Sequence, residues 1–315
     1  MLQENENPKN IFFTSKHYSR LLINSFYLLM ISFVFSFLTA CSSTTQTKNT
    51  AKVSTLFSDN DFNSVTIPDT DTIFELPEGM ANDIRKEYAG SAGINGEKQA
   101  VNKWLAEYIG AQEGGFEFRD HYTRMASVTA EERAGNCMSL VVLSTAIAEV
   151  LGVQVKFQDI DVEPIWDRRG GFYLVNGHVN MKLLHVDQPN TYSMRGSEIL
   201  VDFLPERSIR AYKIKQINKQ TLAGMYFNNV AAEALVRNEY DLAYALAKRA
   251  IELDPYYANS INTLAVIYRH KGMDDLAEQA YRHVLQLEAK NITTLYNLAI
   301  ILGEQDRLEE WKQVH

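Results

Sequence analysis

The 315-residue chain has only two cysteines, Cys41 and Cys137. Two thiols in a chain of this size exclude a disulfide framework, and each needs its own explanation. Basic charge is also in short supply: 31 Lys and Arg stand against 39 Asp and Glu, for a net charge of -8 and a pI near 5.5. Binding nucleic acid needs a concentrated cationic surface, so that class of partner is set aside. The close Cys and His pairs of structural zinc are missing too, which leaves a site built from Cys137, His178 and His185 as a minor alternative, and no metal or cofactor is expected. With 46% hydrophobic and 22% charged residues, disorder on a large scale is excluded, and the length suffices for two modest cores.

Charge is absent from residues 21–40, LLINSFYLLMISFVFSFLTA, while Lys16, His17 and Arg20 lie just before them. A basic segment followed by an apolar run is the order of a secretory signal. About 20 apolar residues also span a bilayer, so an uncleaved membrane anchor is the competing reading. The run ends in Leu38-Thr39-Ala40-Cys41, which resembles the lipobox of bacterial lipoproteins. The resemblance implies a signal peptide over 1–40 and a lipid-bearing Cys41, held in the membrane by at least two acyl chains. The polar tract Ser42 to Thr50 reads as a flexible tether, expected to run on to residue 77. Glu4 and Glu6 depart from a basic leader, and Ser42 in place of Asp leans toward an outer membrane, facing the periplasm.

Periodicity begins near residue 78. Val101, Trp104, Leu105 and Tyr108 fall at helical spacing within 97–109, and Thr129 to Glu132 reads as a capping box opening a short helix. Residues 138–151 are apolar almost all round and Gly152 follows, which predicts a buried helix with Cys137 in its first turn. The helix start favours an anion, so the expectation is a lowered thiol pKa and a backbone N–H available to an oxyanion. Taken alone, Cys137 reads rather as a small apolar residue opening a buried helix.

Two strands further on bear on that choice. Val153 to Phe157 alternates, and in the strand predicted from Phe172 to His185 period two places Val179, Met181 and Leu183 on one face and His178, Asn180 and Lys182 on the other. The strand Ile199 to Leu204 then holds Asp202 in an apolar run, where a carboxylate needs a partner, and His178 is the candidate. Cys137 at a helix start, His178 on a strand and Asp202 on the next, in GNCMSL…GHVNMKLL…ILVDFLP, resemble the transglutaminase-like core, a papain-related cysteine hydrolase arrangement, and more closely the transglutaminase-like lipoproteins with tetratricopeptide repeats. The resemblance implies helices packed on an antiparallel sheet over 78–212. It implies Cys137 as nucleophile, His178 as general base and then acid, and Asp202 as the residue orienting the imidazole. Where many such cores carry tryptophan two residues after the histidine, this chain has Asn180, and the second oxyanion donor is unassigned. Tyr122 and Trp166 are candidates for either cleft or packing.

The last ninety residues repeat every 34. Ala231, Ala265 and Ala299 recur at that interval, as do Ala243 and Ala277, and Leu253 and Leu287. Small residues suit close helix crossings, and the period matches the tetratricopeptide repeat. Units run over 224–257 and 258–291, with a partial third from 292, inside an all-α region of 213–315. Such units bury a core only by stacking, so the array is expected to pack on the core domain or on a partner. By spacing, Tyr256, Tyr257, Tyr268 and Tyr281 are framework residues.

The whole is thus an α+β core followed by helical hairpins. It is expected to be a lipid-anchored envelope protein with a cysteine hydrolase or acyltransferase site for a peptide or amide. Its repeats would recruit substrate or a protein partner. The rival is an inactive envelope scaffold that binds through its repeats.

Overall fold

Fifteen residues from Cys137 to Leu151 form the helix on which the first half of the molecule is built. In this computed structural model Asn136 caps it, accepting from Ser139 N–H at 2.9 Å, and Gly152 ends it in left-handed backbone at φ 68°, which only glycine adopts freely. The model describes residues 53–91, 99–110, 115–120, 122–169, 172–184, 198–203 and 213–314, with side chains of 161–176 outside the description. Cys41 and its lipobox, His185 and the Trp166 side chain therefore lie outside it. Residues 51–315 form one compact unit.

Numbered in chain order, α1 is Met80–Gly90, α2 Val101–Ile109, α3 Ala126–Glu132 and α4 the Cys137–Leu151 helix, with two short paired strands, β1 Glu117–Phe118 and β2 Ala134–Gly135. Helix α4 is buried from Met138 to Ala148. Its Ser144 and Thr145 are accommodated because their hydroxyls donate to the Leu140 and Val141 carbonyls at 2.6 and 2.7 Å, leaving no lost hydrogen bond inside the core. Thr129 does not open a helix: α3 begins three residues earlier, and Thr129 Oγ1 donates to Met125 O at 2.8 Å.

The sheet is antiparallel throughout and consists of β3 Val155–Arg169, β4 Phe172–Leu183, β5 Ile199–Val201 and β6 Lys213–Ile217, in the order β5-β4-β3-β6. Its register aligns Val201, Met181, Phe157 and Ile217 in one buried row across all four strands. That row explains the alternation in the sequence, since a slip of one residue would turn every member outward. Strand β6 corrects the expected all-α region of 213–315: 213–217 belongs to the sheet, and the helical region starts at Lys219.

Six helices follow: α5 Lys219–Val236, α6 Tyr240–Leu253, α7 Ala258–His270, α8 Asp274–Leu287, α9 Ile292–Glu304 and α10 Leu308–Val314. Helices α6, α8 and α10 start 34 residues apart, and so do α7 and α9. The turns repeat as well. Asn238, Gly272 and Asp306, again 34 apart, have positive φ, and the N–H groups of Glu239, Met273 and Arg307 reach back to the carbonyls of Ala234, Tyr268 and Leu302. These are three copies of one glycine-type helix stop, filled by the residue types that tolerate left-handed backbone. Close crossing needs small residues: a Cβ on Gly224 would lie 3.1 Å from Ala250 O. Tyr257, Tyr268 and Tyr281 are buried as expected, whereas Tyr256 is exposed.

Residues 53–77 are not the free tether that the sequence suggested. Leu56, Ile73 and Phe74 are buried, Tyr268 Oη donates to Leu56 O at 2.6 Å, and Tyr244 Oη accepts from Ser58 N–H at 2.9 Å while donating to Asp59. Phe62 stacks on Tyr244 with ring centres 3.9 Å apart, Lys248 pairs with Asp59 at 2.7 Å, and Asn63 bonds Asp241. The segment is a strap laid across the helical hairpins.

Candidate active site

Strand β4 carries His178 and Asn180 on the face opposite Met181. Lys182 on that face is part-exposed and Leu200 beside it is half-exposed, yet His178 is 2% and Asn180 1% exposed. Both are held by one carboxylate. Asp202, just past β5 and 8% exposed at its side chain, lies with Oδ1 2.8 Å from His178 Nε2, and its Oδ2 accepts from Asn180 Nδ2 at 2.6 Å. The pairing of Met181 with Val201 places Asn180 directly across from Asp202, so register alone brings them together.

This geometry fixes a tautomer. An ionised carboxylate only accepts, so in the neutral imidazole Nε2 carries the hydrogen and Nδ1 the lone pair. His178 Nδ1 is buried and, among the described residues, has no hydrogen-bond partner. Asn180 Oδ1 is likewise buried and unpartnered.

Cys137 is the first residue of α4. Its thiol is pushed up to about 12, first by burial, then by the negative charge of Asp202, with Asp120 adding to the rise and the backbone N–H of Cys137 opposing it. The lowered thiol pKa expected from the helix start is therefore reversed. Magnitudes explain why: a helix end contributes about 0.3–1 kcal/mol, less than one pKa unit, whereas desolvation moves buried groups by as much as about 3–5 units. Asp202 thus sits close enough to act on the thiol through space while it touches the imidazole directly. Ionising Cys137 at neutral pH needs an acceptor for its proton, and Nδ1 is the open one.

Of the residues singled out from sequence, His178 and Asp202 are in hydrogen-bond contact and Cys137 is within the electrostatic reach of Asp202, while His178 Nδ1 makes no hydrogen bond to the thiol. Tyr122 is 49% exposed, with the Arg237 guanidinium 6.0 Å above its ring. Sequence reasoning missed the role of Asn180, which holds the second oxygen of Asp202. Its position two residues from His178 on the same strand face was the available signal.

No family model matches the chain. Among curated proteins, the type IV pilus assembly protein PilF of Pseudomonas aeruginosa is 33% identical over 76 residues, which are 24% of this chain and 30% of that protein. The chain therefore spans less than a third of the relative it matches. Among solved structures, one from work on the functional characterization of Pseudomonas aeruginosa pilF is 28% identical, with a TM-score of 0.30 over 31% of this chain and 44% of that one. A candidate cysteine protease of Cytophaga hutchinsonii is 13% identical, with a TM-score of 0.26 over 51% and 59% of the two chains. At these TM-scores neither likeness carries an argument about fold or chemistry.

Proposed function

We propose that this protein is a lipid-anchored envelope protein with a transglutaminase-like cysteine hydrolase or acyltransferase site, followed by tetratricopeptide repeats that recruit its peptide or amide substrate. One observation carries the catalytic part: Asp202 lies 2.8 Å from His178 Nε2 and also acts through space on the helix-start thiol of Cys137, while the buried Nδ1 of His178 is unpartnered among the described residues. In the reaction, the Cys137 S–H proton passes to His178 Nδ1 as sulfur attacks the carbonyl carbon of the amide. The imidazolium, stabilised by Asp202, then returns that proton to the leaving nitrogen, the C–N bond breaks and a thioester remains. Water attacking the thioester gives hydrolysis and an amine gives transfer. The Cys137 backbone N–H is a donor for the oxyanion.

The repeat part of the reading is supported by the 34-residue recurrence of helix starts and left-handed turns, and by the similarity to the pilus assembly protein, which also motivates the envelope assignment. The anchor rests on the lipobox. Among the described residues no helix is long and apolar enough to cross a membrane.

The raised thiol favours a second reading, an inactive scaffold that binds through its repeats. Alkylation kinetics separate the two. In a full-length Cys41→Ser chain Cys137 is the only thiol, and its iodoacetamide reactivity is measured against pH with and without His178→Ala. A catalytic pair gives measurable alkylation near neutral pH that the alanine removes. A thiol that reacts only at strongly alkaline pH, indifferent to His178, identifies the scaffold. The anchor has its own test: Cys41→Ser should abolish palmitate incorporation and release the protein from membranes, and unchanged labelling overturns it.

A further inference from the structure

One side chain of the helical hairpins ends beside the helix start that carries Cys137. Glu233 stands in the last turns of α5, and its Oε1 accepts from the backbone N–H of Thr123 at 2.8 Å. Thr123 is buried, and its Oγ1 accepts from Asn136 Nδ2 at 3.0 Å. Asn136 is the cap of α4: its Oδ1 accepts from both the backbone N–H and the hydroxyl of Ser139, at 2.9 and 2.8 Å. Ser139 Oγ closes the circuit by accepting from Arg124 N–H at 2.8 Å. The residue after Asn136 is Cys137.

Each link in this path is directional. The amide of Asn136 can cap the helix only while its nitrogen faces Thr123 Oγ1 and its oxygen faces Ser139. Thr123 stays in place because its buried N–H has a carboxylate to donate to. Without that acceptor the donor is left unpaired in the interior, a cost that makes segment 122–125 move toward another partner. The cap then loses its second anchor, and the backbone N–H of Cys137 shifts with it.

The geometry points to Glu233 as a positioning residue for Cys137, a repeat-helix carboxylate that fixes the site of the thiol through Thr123 and Asn136. The inference rests on the reading of Cys137 as a nucleophile. It makes the first repeat helix part of the site's framework.

The test uses the full-length Cys41→Ser chain and iodoacetamide alkylation of Cys137 across about pH 6 to 10, a range bracketing a free thiol. Glu233→Ala should slow alkylation at neutral pH about fivefold or more, the scale of one lost buried hydrogen bond, and displace the pH midpoint. Glu233→Gln, whose amide oxygen still accepts from Thr123 N–H, should restore the parent profile to within about twofold. Glu252→Ala, on α6 and paired only at the surface with Arg249, is the control and should change nothing. Thr123→Val, which keeps the N–H but removes Oγ1, should reproduce the loss, and it carries the test if Glu233→Ala fails to fold. Parent-like profiles for Glu233→Ala, or for Thr123→Val in its place, overturn the inference. The nucleophile reading is read separately from His178→Ala: if that variant slows alkylation while the Glu233 and Thr123 variants do not, only the positioning role falls.

Discussion

Asp202→Asn sets two effects of one carboxylate against each other. Its charge disfavours the thiolate of Cys137 through space, and its 2.8 Å contact with Nε2 stabilises a proton on His178. The amide removes both. Were the thiol to ionise alone, losing the repulsion would speed alkylation. With the proton passing to Nδ1, the imidazolium loses a charge-assisted hydrogen bond worth about 1.5–3 kcal/mol, which is about 10- to 150-fold in the thiolate–imidazolium population. Coulomb energy falls with distance, so the group in contact loses more than the group acted on through space gains. We expect a net fall of about tenfold in the alkylation rate near pH 7 in a Cys41→Ser background. The amide must also turn its NH2 toward either Nε2–H or Asn180 Nδ2, so a lower Tm accompanies the change, and the rate is measured well below it. A rate that rises or stays level in the folded variant refutes proton transfer to His178.

Three further outcomes follow from the structure. A methyl on Gly135 would lie 2.7 Å from Ser139 Cβ and 3.2 Å from Thr129 Cγ2, so Gly135→Ala should cost about 1–3 kcal/mol by denaturant unfolding; a neutral result would show that the α4 cap yields easily. Glu278 is held below the usual carboxylate range, first by its hydrogen bond from Arg307 and then by Arg282. A lowered pKa means stability that is present above the ordinary glutamate value and lost as pH falls through the folded one. Amide protection factors in 292–314 should therefore fall on acidification below the ordinary glutamate value of 4.5, and Glu278→Gln should flatten that response. Tyr244→Phe removes the hydroxyl that accepts from Ser58 and donates to Asp59; it should cost about 1–2 kcal/mol and open residues 53–63 to limited proteolysis, and unchanged cleavage would show that the remaining contacts hold the strap without this hydroxyl.

What the sequence made legible was whatever its own neighbours determine. The α4 helix announced itself through a fourteen-residue apolar run closed by Gly152, β4 through strict alternation from His178 to Leu183, and the hairpins through alanines at a fixed interval. Asp202 was found because a carboxylate in an apolar strand demands a partner. Features decided by distant residues stayed hidden. The strap has no periodicity of its own, since its aromatic and acidic groups are matched by side chains about 180 residues away. Strand β6 was missed because Ile214 points to solvent and only Ile217 is buried, leaving no alternation to read. The direction of the Cys137 shift was lost for the same reason: the helix end is local, but the burial that outweighs it comes from the whole fold.

The strap also sets a leash length. With Cys41 acylated as proposed, the first described residue packed on the folded body is Val53, twelve residues later, and fully extended that stretch covers about 40 Å. Had the chain run free to residue 77, the reach would have been more than twice as long. The searchable volume for the site is then limited to the envelope within reach of that leash above the anchoring leaflet. A substrate out of that range would have to be carried inward by whatever the hairpins bind.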